Sequence, residues 1–349
     1  MKSTLVRAAG CGTLLAVAIA AAVAAPPSAK SNPLRVSMYA DNGVVEVVVT
    51  NASNKIARVP KWQLPSETPQ GELFQITLDG RDVEYHGPMI KRGVPTAEDF
   101  AILRPGQSHR YLVDLTDSYD MSQKGQYLVT LVSPLQYASL SGGEMLKTER
   151  GLPMLLQSAP LRVWVDDSAA KSSASSATAR KPPSGGGTVV NGVSYVGCSS
   201  TQISTAGSAV NSARSYAENA KGYLNASNVG PRYTTWFGAY ASSRYSTATS
   251  HFVSIDTAMD QSGGQVKINC GCNQSYYAYV YPNRPYEIFV CRAFWTAPLT
   301  GTDSKAGTLI HEMSHFDIVA NTDDVVYGQS GAKSLAISDP AGAGRNADS

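Results

Sequence analysis

The chain contains little charge and no marked excess of either sign. Of its 349 residues, 16% are charged, and the formal net charge is +2. Proteins that bind nucleic acid normally carry a strong basic excess, so nucleic acid is not an expected partner. The hydrophobic fraction of 43% excludes a wholly disordered chain. A chain of this length is expected to form about two domains.

Long apolar runs are absent from the sequence beyond its N-terminal segment. That segment is basic at Lys2 and Arg7, then apolar over residues 14–23, and it carries small residues at Ala22-Val23-Ala24. This layout predicts a secretory signal peptide over residues 1–25. The alternative, a membrane anchor, is disfavoured because the apolar run is short for a bilayer span. We therefore expect a secreted, extracellular product that has no membrane partner after the signal is removed.

Cysteine is scarce, with five in the whole chain, and Cys11 lies within the predicted signal peptide. The remaining four are Cys198, Cys270, Cys272 and Cys291. An even number in an exported chain predicts two disulfides, for which three connectivities are possible. A cysteine-based zinc site is disfavoured because one Cys-x-Cys pair stands alone.

Three segments of different character follow the predicted signal peptide. Residues 26–166 contain short alternating and β-branched runs separated by turns, which predicts an all-β, sandwich-like domain. Residues 167–188 are rich in Ser, Ala, Pro and Gly and are interpreted as a flexible linker. Residues 189–349 show helical periodicity and a few extended pieces, which predicts an α+β domain that is mainly helical. Long helices are expected over 203–224, 236–258 and 305–319.

The strongest chemical signal is the sequence His311-Glu312-Met313-Ser314-His315. Residues four apart lie on one face of a helix, so His311 and His315 can direct both imidazoles at one metal ion. Glu312 lies beside them, where it can reach a water at that ion. This spacing is typical of zinc peptidases.

A catalytic zinc ion needs a third protein ligand, and the residues alone leave its identity open. No His follows His315 and no Glu follows Glu312, so only aspartates remain. Asp317 would point away from the metal on a continuing helix. A left-handed turn at Asn321 could return the chain to the metal. The acids available beyond the motif are Asp323, Asp324, Asp339 and Asp348.

Longer stretches around the motif resemble the aspzincin family, the deuterolysins and peptidyl-Lys metalloendopeptidases. The resemblance covers residues 195–349 and leaves out the β-rich region. The layout of the whole chain, a large exported precursor, is most similar to that of the bacterial secreted members of the family. One departure is Asn321, which stands where the family has Gly. The matching segments are residues 231–238, 281–284, 293–295, 306–316 and 321–328.

The resemblance implies a role for each candidate residue. One Zn²⁺ would be held by His311, His315 and Asp324. Glu312 would be the general base for a zinc-activated water, and Tyr327 would donate a hydrogen bond to the oxyanion. Asp348 would lie in the pocket for the residue after the cleaved bond, which implies a preference for Lys or Arg there. The implied disulfide pairs are Cys198–Cys270 and Cys272–Cys291.

The predicted function is that of a secreted zinc endopeptidase with protein or peptide substrates. The β-rich region is then most simply a propeptide that assists folding or blocks the cleft of an inactive precursor. One alternative is an exported binding protein that uses the β-sandwich and retains an inactive zincin remnant. A second alternative is a zinc amidase that acts on the cell wall.

Overall fold

The computed structural model describes residues 31–67, 69–179 and 187–349. The predicted signal peptide lies outside these residues. Thirteen strands make up the described N-terminal region: β1 (Leu34–Asp41), β2 (Val44–Asn51), β3 (Ala57–Pro60), β4 (Phe74–Leu78), β5 (Arg81–Asp82), β6 (Met89–Lys91), β7 (Phe100–Leu103), β8 (Ser108–Asp114), β9 (Gly125–Pro134), β10 (Ser139–Leu140), β11 (Glu144–Met145), β12 (Leu155–Gln157) and β13 (Leu161–Val165).

The N-terminal region is rich in β-structure, as predicted, and all of its strands except β6 lie in three sheets that share a core. The sheet orders are β1-β2-β8, β11-β10-β3-β7 and β12-β9-β4-β5, with β13 also paired to β9. In β2 the alternate residues Val45, Val47 and Val49 are fully buried. This period of two is what places one face of a strand in the core. The sequence pattern therefore determines which face of each strand packs inward.

A helix occupies much of the segment that the composition predicts to be a flexible linker. This helix, α1, spans Asp167–Ala179. The side chain of Asp166 accepts hydrogen bonds from the backbone N–H groups of Ser168 and Ala169, which caps its first turn. Ser173 accepts from the Met121 N–H and donates to the Tyr119 carbonyl. These contacts dock the helix on the β-rich region, while residues 180–186 lie outside the described part of the chain.

The C-terminal region is mainly helical with one sheet, in agreement with the predicted α+β class. Its elements are β14 (Thr188–Val190), β15 (Val193–Val196), α2 (Ser200–Asn225), α3 (Pro231–Phe237), α4 (Ser242–Met259), β16 (Lys267–Asn269), β17 (Ala278–Val280), β18 (Glu287–Val290), α5 (Arg292–Thr296), α6 (Lys305–Ser314), α7 (Gly328–Ser338) and α8 (Pro340–Ala343).

Two predicted helices are longer than those in the structure. The helix expected over 236–258 is broken at Gly238, where φ is +75° and a Cβ would come within 2.1 Å of the Ala336 carbonyl oxygen. The helix expected over 305–319 ends at Ser314. Beyond it, the carbonyl of Phe316 accepts from Val319 and two further N–H groups, which forms a separate turn. This turn brings the chain back towards α6.

The sheet of the C-terminal region contains a strand from the N-terminal region. Its order is β14-β15-β16-β18-β17-β6, and β6 pairs antiparallel with β17 through Met89↔Val280, Ile90↔Tyr279 and Lys91↔Ala278. The sequence did not predict this pairing. An unpaired strand edge readily accepts another strand, and here the edge is covered by the chain's own β-rich region.

Two disulfides join elements of the C-terminal region. They link Cys198 to Cys270 and Cys272 to Cys291, the pairing that the resemblance implies. The first bond ties the end of β15 to the end of β16. Within the described ranges, no helix combines the length and the apolar character needed to span a bilayer.

Candidate active site

The candidate site is built on α6, which lies in the protein core. Ser304 caps this helix by accepting a hydrogen bond from the Gly307 N–H. Leu309 and Met313 are fully buried and hold the helix against the sheet. The same helix carries the motif side chains, so His311, Glu312 and His315 are also buried.

Three ligand atoms converge at one end of α6. The two Nε2 atoms of His311 and His315 are 3.1 Å apart. Asp324 Oδ1 lies 3.2 Å from the first of these atoms and 3.6 Å from the second. Two ligands at about 2.1 Å from a tetrahedral zinc ion are separated by about 3.4 Å. The spacing of the three atoms therefore fits a zinc ion held by His311, His315 and Asp324.

The hydrogen bonds on the outer ring nitrogens also favour a cation at this point. His315 Nδ1 lies 2.7 Å from the carbonyl oxygen of Thr322, and His311 Nδ1 lies 2.8 Å from Asp348 Oδ1. Both partners accept from the Nδ1 atoms, which leaves the two Nε2 atoms facing inward as the atoms available to a metal ion. Two imidazole nitrogens and a carboxylate oxygen at such short separations attract a metal cation.

The neighbouring acids occupy different positions. Asp323 forms backbone hydrogen bonds to Arg345 and Ala347, and its carboxylate faces the Arg345 side chain. Burial, together with a hydrogen bond to Glu84 of the β-rich region, raises the pKa of Asp317 to about 7. Asn321 has the positive φ, +46°, that the predicted turn requires. The structure therefore brings Asp324, and neither Asp317 nor Asp323, to the two imidazoles.

Burial sets the pKa of two motif residues, Glu312 and His315, in the metal-free chain, whereas the carboxylates of Asp324 and Asp348 outweigh burial at His311 and raise its pKa to about 9. Burial raises the pKa of Glu312 to about 8 and lowers the pKa of His315 to about 4. Burial also raises the pKa of Asp324, but the two imidazoles outweigh that effect and the net pKa is lowered. Asp324 is thus held in the ionised form that binds a metal.

Tyr327 lies on the other side of this cluster, at the N-cap of α7. Its hydroxyl is 3.0 Å from Asp324 Oδ2 and 3.1 Å from the carbonyl oxygen of Ile90 in β6. Gln136 holds the backbone of Tyr327 in two hydrogen bonds of 2.7 Å, one to the carbonyl and one from the N–H.

Asp348 contacts both His311, one of the three converging residues, and a basic side chain. One oxygen, Oδ1, lies 2.6 Å from Lys91 Nζ as well as near His311, and the other accepts from the Gly328 N–H at 2.6 Å. Burial lowers the pKa of Lys91, but the Asp348 carboxylate outweighs it and the net pKa is raised, so Lys91 is charged. Lys91, His311 and Asp348 line a cavity of about 500 Å³ whose wall also includes Trp236.

Sequence reasoning missed the contributions of the N-terminal region to this site. Ile90, Lys91 and Gln136 all reach it from the β-rich region. The Met-Ile-Lys sequence of β6 is an ordinary short strand pattern, so no local signal distinguishes it. His315 is also contacted by the backbone carbonyl of Thr322, and a backbone contact cannot be predicted from the residue type.

The fold and site define a metallopeptidase whose active site is built on a His-Glu-x-x-His helix. A sequence model of the aspzincins, described as lysine-specific metallo-endopeptidase, matches residues 223–349. A protein of Aeromonas hydrophila described as an extracellular protease is 37% identical over 341 residues, covering 96% of this chain and 95% of its own length. The chain belongs to the aspzincin family of metalloendopeptidases.

Two further similarities concern the fungus Grifola frondosa. Its peptidyl-Lys metalloendopeptidase is 35% identical over 350 residues, covering 95% of this chain and 94% of its own length. A solved structure, described as a zinc peptidase from this fungus, is 46% identical and covers 43% of this chain and 92% of that one, with a TM-score of 0.41. The family model and the two relatives show that the protein is an enzyme, a metalloendopeptidase, so the alternative of a binding protein with an inactive remnant is wrong.

Proposed function

We propose that the protein is a secreted zinc endopeptidase that cleaves peptide bonds on the N-terminal side of Lys and is made as an inactive precursor. The observation that carries this proposal is the placement of Lys91, whose ammonium group contacts Asp348 beside the three candidate metal ligands. The disulfides and the predicted signal peptide support export.

Each residue around the three converging ligands has a separate role in the proposed hydrolysis. Zinc held by His311, His315 and Asp324 would supply a Lewis acid and lower the pKa of water at the site to about 7. Glu312 is placed to accept a proton from the attacking water and to deliver it to the leaving amine. The Tyr327 hydroxyl is placed to donate to the carbonyl oxygen as negative charge develops on it.

Asp348 is the residue that selects the substrate side chain. Its carboxylate is buried, and although burial raises its pKa, Lys91 and His311 together lower the pKa far below the ordinary value. A buried carboxylate without a cationic partner is strongly unfavourable, so the pocket favours a lysine ammonium. Contact with His311 also links the specificity pocket to a metal ligand.

The β-rich region blocks the cleft in the precursor. Its strand β6 covers the edge of β17, where an extended substrate would pair, and Lys91 fills the pocket of Asp348. Gln136 engages Tyr327, and Leu152 packs on the apolar cluster around Val326. A substrate cannot reach the site until these contacts are lost.

The decisive test is a map of cleavage sites on a mixed peptide library, made with the secreted product. We expect most cuts to precede Lys, with full loss of cleavage after zinc chelation and recovery after zinc is added. The intact precursor should cleave at less than about a tenth of the rate of the processed enzyme. Cleavage without any preference for basic residues would contradict the assigned specificity.

Replacing Tyr327 with phenylalanine should lower kcat on a Lys-containing peptide by about 10²–10³-fold, because one donor to the developing oxyanion is lost. KM should change little, and kcat is measured at saturating zinc because the hydroxyl also contacts Asp324, one of the three proposed ligands. The control is Tyr240→Phe, whose side chain is exposed. A variant of Tyr327 with more than a tenth of the wild-type kcat would remove the hydroxyl from the reaction.

A further inference from the structure

One peptide unit of the β-rich region, with the side chain that follows it, contacts three residues to which the proposed function gives a role: Tyr327, Glu312 and Asp348. This unit is the bond between Ile90 and Lys91. Its carbonyl oxygen lies 3.1 Å from the Tyr327 hydroxyl, and its N–H donates to Glu312 Oε1 at 3.3 Å. The side chain that follows the bond reaches Asp348 at 2.6 Å.

The strand pairing holds this register. Ile90 lies opposite Tyr279, and the Tyr277 N–H donates to the Lys91 carbonyl at 3.1 Å. Because side chains alternate along a strand, a slip of one residue would turn Lys91 away from its pocket. All three residues of β6 are buried, each less than a tenth exposed.

The contacts match what hydrolysis of this bond requires. Negative charge would develop on the Ile90 oxygen, where Tyr327 can donate, and a proton is needed at the Lys91 nitrogen, where Glu312 lies. The second oxygen of Glu312, Oε2, is buried and has no hydrogen-bond partner within the described ranges. That oxygen remains able to accept a proton from a water.

We propose that Ile90–Lys91 is the first bond that the enzyme cuts, within its own chain, and that this cut begins activation. The proposal rests on the proposed function. One water is consumed: its oxygen bonds to the Ile90 carbonyl carbon, the C–N bond breaks, and both of its protons end on the Lys91 nitrogen. The products are an Ile90 carboxylate and an N-terminal ammonium on Lys91.

The products also explain why the cut would open the cleft. The cut places two new charges, the Ile90 carboxylate and the Lys91 α-ammonium, on a strand whose three residues are buried, and burying unpaired charges is unfavourable. The strand is divided in two, and each half keeps only part of the pairing with β17. The strand edge then becomes available to an external substrate.

The test uses the full chain, prepared free of metal and then mixed with zinc over a twentyfold range of protein concentration. The earliest fragments are identified by mass and by N-terminal sequencing. We expect a first fragment that begins at Lys91 and a rate that does not depend on concentration. A first cut at another bond, such as one within residues 180–186, or a rate proportional to concentration, would overturn the proposal.

The variant Lys91→Gln separates this bond from general proteolysis. Loss of the buried charge pair should slow the cut after Ile90 about 30-fold or more. Lys55→Gln is the matched control: it removes an exposed lysine that pairs with Glu144 in the same region, and it should leave the rate unchanged. Equal rates of the cut after Ile90 in both variants would overturn the proposal.

A second readout does not depend on catalysis. In the metal-free chain, the backbone amides of β6 should be protected from hydrogen exchange, and Lys91→Gln should reduce that protection at least about tenfold. Unprotected amides in the wild-type chain would contradict the register. A parallel assay of the secreted product on an external Ile-Lys peptide distinguishes a failure of this inference from a failure of the proposed function. Cleavage of that peptide with Ile90–Lys91 left intact overturns this inference alone, and no cleavage overturns the proposed function as well.

Discussion

Replacing Glu312 with glutamine is expected to lower kcat for a Lys-containing peptide by about 10²–10⁴-fold, the usual contribution of a general base. Glutamine has nearly the same shape but cannot accept a proton from water. One Glu312 oxygen faces the Lys91 N–H, and the other is buried without a partner among the described residues. Both positions suit a group that receives a proton and then delivers it. The measurement is steady-state kinetics beside zinc content per chain.

Measuring the zinc content distinguishes a loss of catalysis from a loss of the metal ion. Glu312 is not one of the three converging ligands, so the variant should bind one zinc per chain as the wild type does. The matched control is Glu218→Gln, which removes an exposed carboxylate that pairs with Lys221 on α2. If Glu312→Gln retained more than a tenth of the wild-type kcat at full zinc occupancy, Glu312 would not be the base.

Replacing Asp348 with asparagine is expected to lower kcat/KM for peptides with Lys after the cleaved bond by about 100-fold or more. The expected loss follows from leaving a buried ammonium group without its partner, which costs about 2–5 kcal/mol. Peptides with an uncharged residue at this position should lose much less. Asparagine is chosen because its side-chain oxygen can still accept from His311 Nδ1.

The same variant should weaken zinc binding by about 10–100-fold, because partners of metal-bound histidines orient their rings. The kinetics must therefore be measured at saturating zinc. Asp303→Asn provides the control, since Asp303 lines the same cavity and already has the positive φ, +48°, that asparagine tolerates. An equal loss on Lys and uncharged peptides would show that Asp348 acts only through His311.

Several features of the fold and site could be predicted because the information is local. Alternation of buried valines in β2 depends on a period of two, and the pairing of His311 with His315 depends on the helical repeat. An even number of cysteines beyond Cys11 predicts two disulfides. Each of these patterns lies within one element or in a count.

Other features depend on residues that are distant in sequence. The residues alone left several aspartates open as the third ligand, and the resemblance pointed to Asp324; the turn at Asn321 brings that residue to the imidazoles. The break at Gly238 arises because Ala336, about a hundred residues later, leaves no space for a side chain. The helix over Asp167–Ala179 is held by hydrogen bonds to Tyr119 and Met121 that composition does not reveal.

The sequence by itself determined the kind of chemistry, because two histidines four residues apart share one face of any helix they form and the glutamate lies beside them. Only the tertiary structure decided what fills the cleft. Strand β6 pairs with β17, which lies about 190 positions later, and Asp348 contacts both His311 and Lys91, a lysine 257 positions earlier in the chain. Such contacts depend on how whole regions pack together, and no periodicity within either region encodes them.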